Sequence, residues 1–263
     1  MDRRTLLLAA GAVTLGGCGG QSQAPAAQSP DAARNPGTAN SPGAAKSPDA
    51  TGSPSAAGGP PPKALPPEVD SGPRDVPAVA LTFHGQGEPG VVGGLLDALA
   101  AERVKATVLA VGVWVRGQPE LARRVLADGH ELGNHTLNHD DIKGMSDDAA
   151  YAEIAGCAAA LREVSGSIGR WFRPSQTQRS TPRIRAQAQR AGYATCLSYD
   201  IDSLDYTDPG ADAIVRHTLQ GVRNGSIVSL HFGHAGTVTA LPKLLAGLRD
   251  RGLRPVTASE LFA

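Results

Sequence analysis

Forty-six consecutive residues, Gly19 to Ala64, contain no Val, Ile, Leu, Met, Phe, Tyr or Trp. A segment without large apolar side chains has nothing to bury, so it cannot offset the entropy lost on ordering. Whatever folds in this chain of 263 residues must therefore fold on the C-terminal side of that segment. The segment is rich in Pro, Ala, Ser and Gly and repeats Ser-Pro-Asp-Ala at 29–32 and 47–50. It reads as a solvated tether, spanning roughly 40 Å as coil and about 140 Å when extended.

Upstream of the tether, Arg3 and Arg4 precede an apolar run from Thr5 to about Leu15. That run is shorter than the roughly 20 residues of a membrane-spanning helix and has the proportions of a signal-peptide core. The arginine pair resembles a twin-arginine export signal, and Leu15-Gly16-Gly17-Cys18 resembles a bacterial lipobox, with Cys18 as the lipidated residue. An ordinary secretion signal with a chance cysteine is the alternative. The expected organisation is a signal peptide over 1–18, a tether over 19–75 and one folded domain over 76–263, exported and held at a membrane through the lipid. Lys and Arg number 25 against 25 Asp and Glu, so no net charge draws the chain to nucleic acid or to an anionic surface. Nothing in the sequence implies a protein partner. Cys157 and Cys196 both sit among apolar residues and read as buried free thiols.

The 188 residues from Val76 onward alternate between strand and helix patterns. Apolar β-rich runs occur at 77–83, 105–113, 130–136, 170–174, 194–200 and 226–232, and 254–262 closes the chain. Helical patterns occupy 91–104, 118–129, 147–166, 210–224 and 239–252. Ser146 caps the third helix, Asp208-Pro209 starts the fourth, and Gly225 stops it. About seven such units predict an α/β fold with a parallel sheet covered by helices, as a closed barrel or an open doubly wound sheet. Either architecture places its site at the carboxyl ends of the strands. The first strand–helix turn has no G-x-G-x-x-G and the chain has no P-loop, so nucleotide binding has no support.

Five of the seven histidines fall at or just beyond those strand ends: His84, His135, His139, His231 and His234. His130 and His217 read as structural or surface positions. His135 and His139 are four apart, which brings two imidazoles to one side of a helical turn or compact loop, a pairing suited to zinc. His231 ends one strand, and Asp200, Asp202 and Asp205 follow another. A carboxylate bonded to a histidine fixes its tautomer and favours its protonated form, as a general acid requires. Asp208 reads as a helix cap. Arg173 lies at a fourth strand end.

Four motifs follow one another along the chain: Gly129-His-Glu-Leu-Gly-Asn-His-Thr-Leu-Asn-His139, Arg173-Pro-Ser, Asp202-Ser-Leu-Asp-Tyr206 and Ile227-Val-Ser-Leu-His231. This set resembles the polysaccharide deacetylase family, the NodB-homology or carbohydrate esterase 4 domain, over about 78–263. The resemblance implies a distorted parallel (β/α) barrel of about seven strand–helix units. It implies a divalent metal, expected to be Zn2+, and removal of N- or O-acetyl groups from a cell-envelope or extracellular polysaccharide. It implies that His135 and His139 are metal ligands, that His231 is the general acid and that Asp202 supports it. Tyr206 would flank the acetyl pocket, Arg173 would stand close to the base, and Ser175, Gln176 and His234 would border the substrate.

The first motif departs from the family. Where the resemblance gives Thr-Phe-Asp-Asp-Gly, with a base and a metal ligand, this chain has Thr82-Phe83-His84-Gly85-Gln86. His84 is then either a third metal ligand, reached through the freedom of Gly85 and Gly87, or the base above a two-histidine site. Glu88 is a weaker carboxylate candidate. An inactive, sugar-binding envelope lipoprotein is the alternative to an active hydrolase, and a purely structural envelope protein is the third reading.

Overall fold

The computed structural model describes residues 64–263. The expected signal peptide, Cys18 and the tether up to Lys63 lie outside the described residues. Along the chain come β1 (Glu68–Val69), β2 (Ala78–Gly85), α1 (Pro89–Ala101), β3 (Thr107–Ala110), α2 (Gly112–Gly117), α3 (Pro119–Ala127), β4 (Glu131–Asn134), α4 (Asp147–Ser165), α5 (Pro182–Arg190), β5 (Cys196–Leu197), β6 (Ile201–Asp202), α6 (Ala211–Gly221), β7 (Ile227–His231), α7 (Ala235–Asp250), β8 (Arg254–Val256) and α8 (Ala258–Leu261).

Every strand ladder is parallel. β2 is central, pairing with β3, β7 and β8, and the sheet runs β4-β3-β2-β7-β6. Beyond β4 the wall continues through single parallel bridges, Asn134 to Phe172 and Phe172 to Cys196, to the β5–β1 pair. The result is a distorted parallel barrel, one of the two architectures the alternation allows and the one the family resemblance implies.

The two-residue period of the strands sorts their side chains. Val79, Leu81 and Phe83 of β2 face the helices, in one cluster with Val92, Leu95 and Leu96 of α1 and Leu241, Leu244 and Leu245 of α7. Ala78 and Ala80 join a second cluster with Leu109, Trp171, Leu197, Ile227 and Val256. That inner column continues upward through Thr82 to His84, and on β7 from Ile227 through Ser229 to His231. Register pairs Thr82 with Ser229 and His84 with His231. The same alternation that buries the wall thus aims these histidines inward at the barrel mouth.

Several expectations need correction. The fold starts before residue 76: Val69 is buried, β1 pairs with β5, and the amide of Gly72 donates to Gly225 O at 2.7 Å. The run 170–174 forms only the single bridges at Phe172. The run 194–200 forms strand only at β5, Cys196–Leu197, and β6 follows just beyond it at Ile201–Asp202. β3 stops at Ala110, and Gly112 opens α2, seated so closely that a Cβ at Gly112 would lie 3.0 Å from Cys157 Cα of α4 and 2.8 Å from Leu137 Cδ1 of the loop before it. α5 lies in a polar stretch that the alternation passes over, although Thr181 caps it by accepting from the Ile184 amide and Pro182 opens it. α6 is capped at Gly210, not started by Asp208, and it ends at Gly221, before Gly225. Other expectations hold in the structure. The Ser146 hydroxyl accepts from the Ala149 amide to cap α4. Cys157 and Cys196 are buried free thiols, and burial pushes them up to about 12 and about 11.

Candidate active site

His84, at the tip of β2, sets the geometry. Its Nδ1 lies 2.8 Å from His135 Nε2, and its Nε2 lies 3.0 Å from Ser229 Oγ. Its ring stacks on His231, 4.3 Å between centroids at 15°. His135 follows β4 directly and is fully buried, with Nδ1 2.9 Å from the Arg173 carbonyl oxygen. His139 comes in from a compact loop in a left-handed conformation, φ 66°, and its ring meets that of His135 at 4.9 Å. Non-glycine residues in that region are strained and persist where surrounding contacts hold them. Here Gln176, also left-handed at φ 52°, donates from Nε2 to His139 O at 2.8 Å.

One ligand nitrogen each from His84, His135 and His139 falls within 4.8 Å of the others. Burial, reinforced by their neighbours' charge, pushes His84 and His135 well below the ordinary imidazole value, and burial lowers His139 too. Three neutral imidazoles at this separation are a donor set that fits zinc.

Arg173 stands beneath them, inside the barrel and fully buried. Its Nε donates to Leu197 O at 2.8 Å, and its Nη2 donates to Thr82 Oγ1 at 2.9 Å and to Ser198 O at 3.2 Å. Its Nη1 lies 3.3 Å from His84 Nε2. Among the described residues no carboxylate pairs with it. Burial lowers the guanidinium to about 10, so it keeps its charge at neutral pH. The Tyr199 ring covers it at 5.1 Å.

The carboxylate against His231 is Asp205. Its Oδ1 accepts from His231 Nδ1 at 2.6 Å, and its Oδ2 accepts from the His231 amide at 2.8 Å and from Thr237 Oγ1 at 2.7 Å. Burial alone would raise the Asp205 carboxyl; the hydrogen bonds and charge of His231, with Thr237, more than reverse this and hold it below its usual value. With Nδ1 tied to Asp205, His231 presents Nε2 to the cleft.

This corrects the sequence expectation that Asp202 supports His231. Asp202 lines the cleft, but its Oδ1 accepts from the Leu204 amide at 3.0 Å. Asp200 lies at the opposite end of the strands, where it pairs with Arg74 at 2.8 Å and accepts from the Ile227 amide. Asp208 does not cap α6; its carboxylate meets His234 Nδ1 at 2.9 Å. Ser175 is fully buried with its hydroxyl on Asp140 O, so its side chain does not border the cleft. Gly85 and Gly87 are not hinges. Gly85 is paired in register with Ala110, and a Cβ there would lie 2.6 Å from Val108 Cγ1; at Gly87 it would lie 2.8 Å from Gly233 Cα. The imidazole of His84 reaches its neighbours from a regular strand. Sequence reasoning also missed Thr82, Ser229, Tyr199 and Thr237. The first two were available from strand alternation, because each lies two residues before an inward histidine.

The stacked His84 and His231 rings divide two hollows. One, of about 380 Å³, is lined by His139, Gln176, Tyr199, Asp202 and Tyr206. The other, of about 500 Å³, is lined by Glu88, Val113, Trp114, Gln118 and His234. Tyr206, 49% exposed, turns its ring to His231 at 5.4 Å.

The profile described as polysaccharide deacetylase matches residues 71–196. The chain is 34% identical over 195 residues to a peptidoglycan-N-acetylglucosamine deacetylase of Bacillus cereus, covering 72% of this chain and 90% of that protein. It is 33% identical over 198 residues to a chitooligosaccharide deacetylase of Sinorhizobium fredii, covering 67% and 87%. A solved structure of a carbohydrate esterase family 4 pseudoenzyme from Bacillus anthracis shares the fold, with TM-score 0.71 at 22% identity over 76% of this chain and 70% of that one.

Proposed function

Since this chain belongs to the polysaccharide deacetylase family, we propose that it is a metal-dependent hydrolase that removes acetyl groups from an N- or O-acetylated envelope polysaccharide. The observation that carries this is the convergence of three neutral imidazoles beside a histidine–carboxylate pair, with His84, His139 and His231 lining one cleft and His135 and Asp205 buried behind them.

His84, His135 and His139 would hold the metal, with zinc the cation their donor set suits best. A divalent metal there supplies a Lewis acid that polarises the acetyl carbonyl and acidifies water. The chain's own residues do the rest. His231, its Nδ1–H on Asp205, holds a proton at Nε2 for the leaving amine or alkoxide oxygen. Asp205 stabilises the imidazolium form of that acid. Tyr206 and Tyr199 wall the hollow that would receive the acetylated sugar, and Gln176 fixes the His139 loop. His84 spans the ground that the family resemblance assigns to two aspartates, with one nitrogen toward His135 and the other toward Arg173. The basic pair, apolar run and Leu-Gly-Gly-Cys18 support an exported lipoprotein whose tether holds this domain off the membrane.

The buried Arg173 favours a second reading. A guanidinium without a carboxylate partner adds positive charge beside a cation site, as an inactive sugar-binding relative would tolerate. The test is elemental analysis of the purified protein with and without added zinc, beside His135→Ala, together with acetate release from N-acetylated chitooligosaccharide. One zinc per chain, lost in His135→Ala, together with acetate release, supports the hydrolase. Glycan binding without zinc or acetate supports the inactive reading.

A further inference from the structure

We infer that Arg173 sets the ring proton of His84 against metal binding, and that Ser229 is the acceptor that lets His84 become a ligand; this rests on the three-histidine reading of the site. The hydrogen bonds form a closed circuit that starts at the Arg173 side chain and ends at its carbonyl. A guanidinium only donates. With Nε on Leu197 O and Nη2 on Thr82 and Ser198, the remaining nitrogen, Nη1, faces His84 Nε2 at 3.3 Å. His84 Nε2 is therefore the lone-pair nitrogen, and in a neutral imidazole the proton then sits on Nδ1.

The other end of the circuit gives the same answer independently. The Arg173 carbonyl only accepts, so His135 Nδ1, 2.9 Å away, carries the His135 proton. His135 Nε2 is then a lone pair, and its neighbour at 2.8 Å, His84 Nδ1, must be the donor. Arg173 thus fixes the proton of His84 twice, once through its guanidinium and once through its backbone.

For a metal the two histidines differ. His135 already turns its lone pair into the cluster. His84 turns an N–H into it and must move that proton to Nε2 before Nδ1 can ligate. At Nε2 the proton meets an Arg173 N–H, which cannot accept it, and Ser229 Oγ at 3.0 Å, which can. The Ser229 hydroxyl donates in the first arrangement and accepts in the second. It is 1% exposed, so water does not replace it there.

The prediction is a pair of opposite effects on metal affinity. Partners of metal ligands commonly change affinity by about 10–100-fold. Arg173→Gln removes the charge and provides an amide oxygen able to accept, so zinc should bind about 10-fold or more tightly than to the parent. Ser229→Ala removes the acceptor, so zinc should bind about 10-fold or more weakly. Affinities come from competition with a chromophoric chelator on the full chain. The zinc-free protein, labelled with 15N at histidine, should show the His84 proton on Nδ1. General loosening of the fold would weaken both variants, so opposite signs separate proton placement from a merely structural role. Unchanged or weaker zinc binding in Arg173→Gln overturns the inference. So does a His84 proton found on Nε2 in the zinc-free parent, a result that stands even if Arg173→Gln does not fold. If neither parent nor Arg173→Gln binds zinc, the three-histidine reading fails, and the nitrogen spectrum alone decides whether Arg173 sets the tautomer.

Discussion

Replacing Asp205 with Asn changes one oxygen to NH2 in a carboxylate that accepts three hydrogen bonds while fully buried. The geometry dictates how the amide must sit. The His231 backbone amide cannot stop donating, so the Asn oxygen takes the Oδ2 position. The NH2 then faces His231 Nδ1, which must become an acceptor. The imidazolium loses its counter-charge and its preferred tautomer together. Two unit charges about 4 Å apart interact by about 4 kcal/mol at an effective dielectric of 20. The His231 side chain is 22% exposed, so screening reduces this; about 3 kcal/mol remains reasonable, or about a hundredfold in rate. That agrees with the roughly 10²–10⁴ that a general acid contributes. The assay is acetate release from N-acetylated chitooligosaccharide by zinc-loaded parent, Asp205→Asn and Asp202→Asn. Asp205→Asn should lose about a hundredfold in kcat with zinc content unchanged, and Asp202→Asn should lose far less. A kcat within threefold of the parent for Asp205→Asn, with a large loss for Asp202→Asn, would refute this reasoning and restore the sequence-based assignment.

Three further outcomes follow from the packing. Gly85→Ala should cost about 1–3 kcal/mol, because its Cβ would meet Val108 Cγ1 at 2.6 Å and Ala110 Cα at 3.0 Å, and thermal melting reads it as a fall of about 2–4 °C per kcal/mol; an unchanged melting temperature would mean the strand has room for a side chain. His130, whose Nε2 is buried without a partner, is lowered to about 4 by burial. The unfolded chain takes up that proton as pH falls from about 6.5, the folded one only near 4, so stability is full above this window and is lost across it. His130→Gln should therefore gain on the parent as pH drops from 7 to 4.5, and a constant difference in melting temperature would contradict the burial argument. Beyond Cys18, the native protein should show no thiol reactive to a disulfide reagent until it is denatured, when Cys157 and Cys196 appear; fast reaction of either in the native state would rule out its burial.

Much of the site was legible because strand alternation is local. Thr82 with His84, and Ser229 with His231, follow from a two-residue period once the strands are placed, and the residue order alone put histidines at strand ends. Length and the absence of large apolar side chains over 19–64 limited where a core could form. The choice among aspartates was not local. Leu204 takes a left-handed turn, φ 57°, after β6, and this carries Asp205 under the tip of β7 and the first turn of α7. Its partners lie 26 and 32 residues further along the chain. Asp202, the nearer match by motif, is held back on its own loop by the Leu204 amide. The glycines likewise read as freedom in one dimension and are close packing in three. Nor does composition show that residues 64–75 belong to the fold, because their stability comes from edges supplied by β5 and the turn before β7. Sequence determined which side chains could reach the barrel mouth; only the tertiary contacts decided which of them share a proton, because hydrogen bonds join neighbours in space and not in the chain.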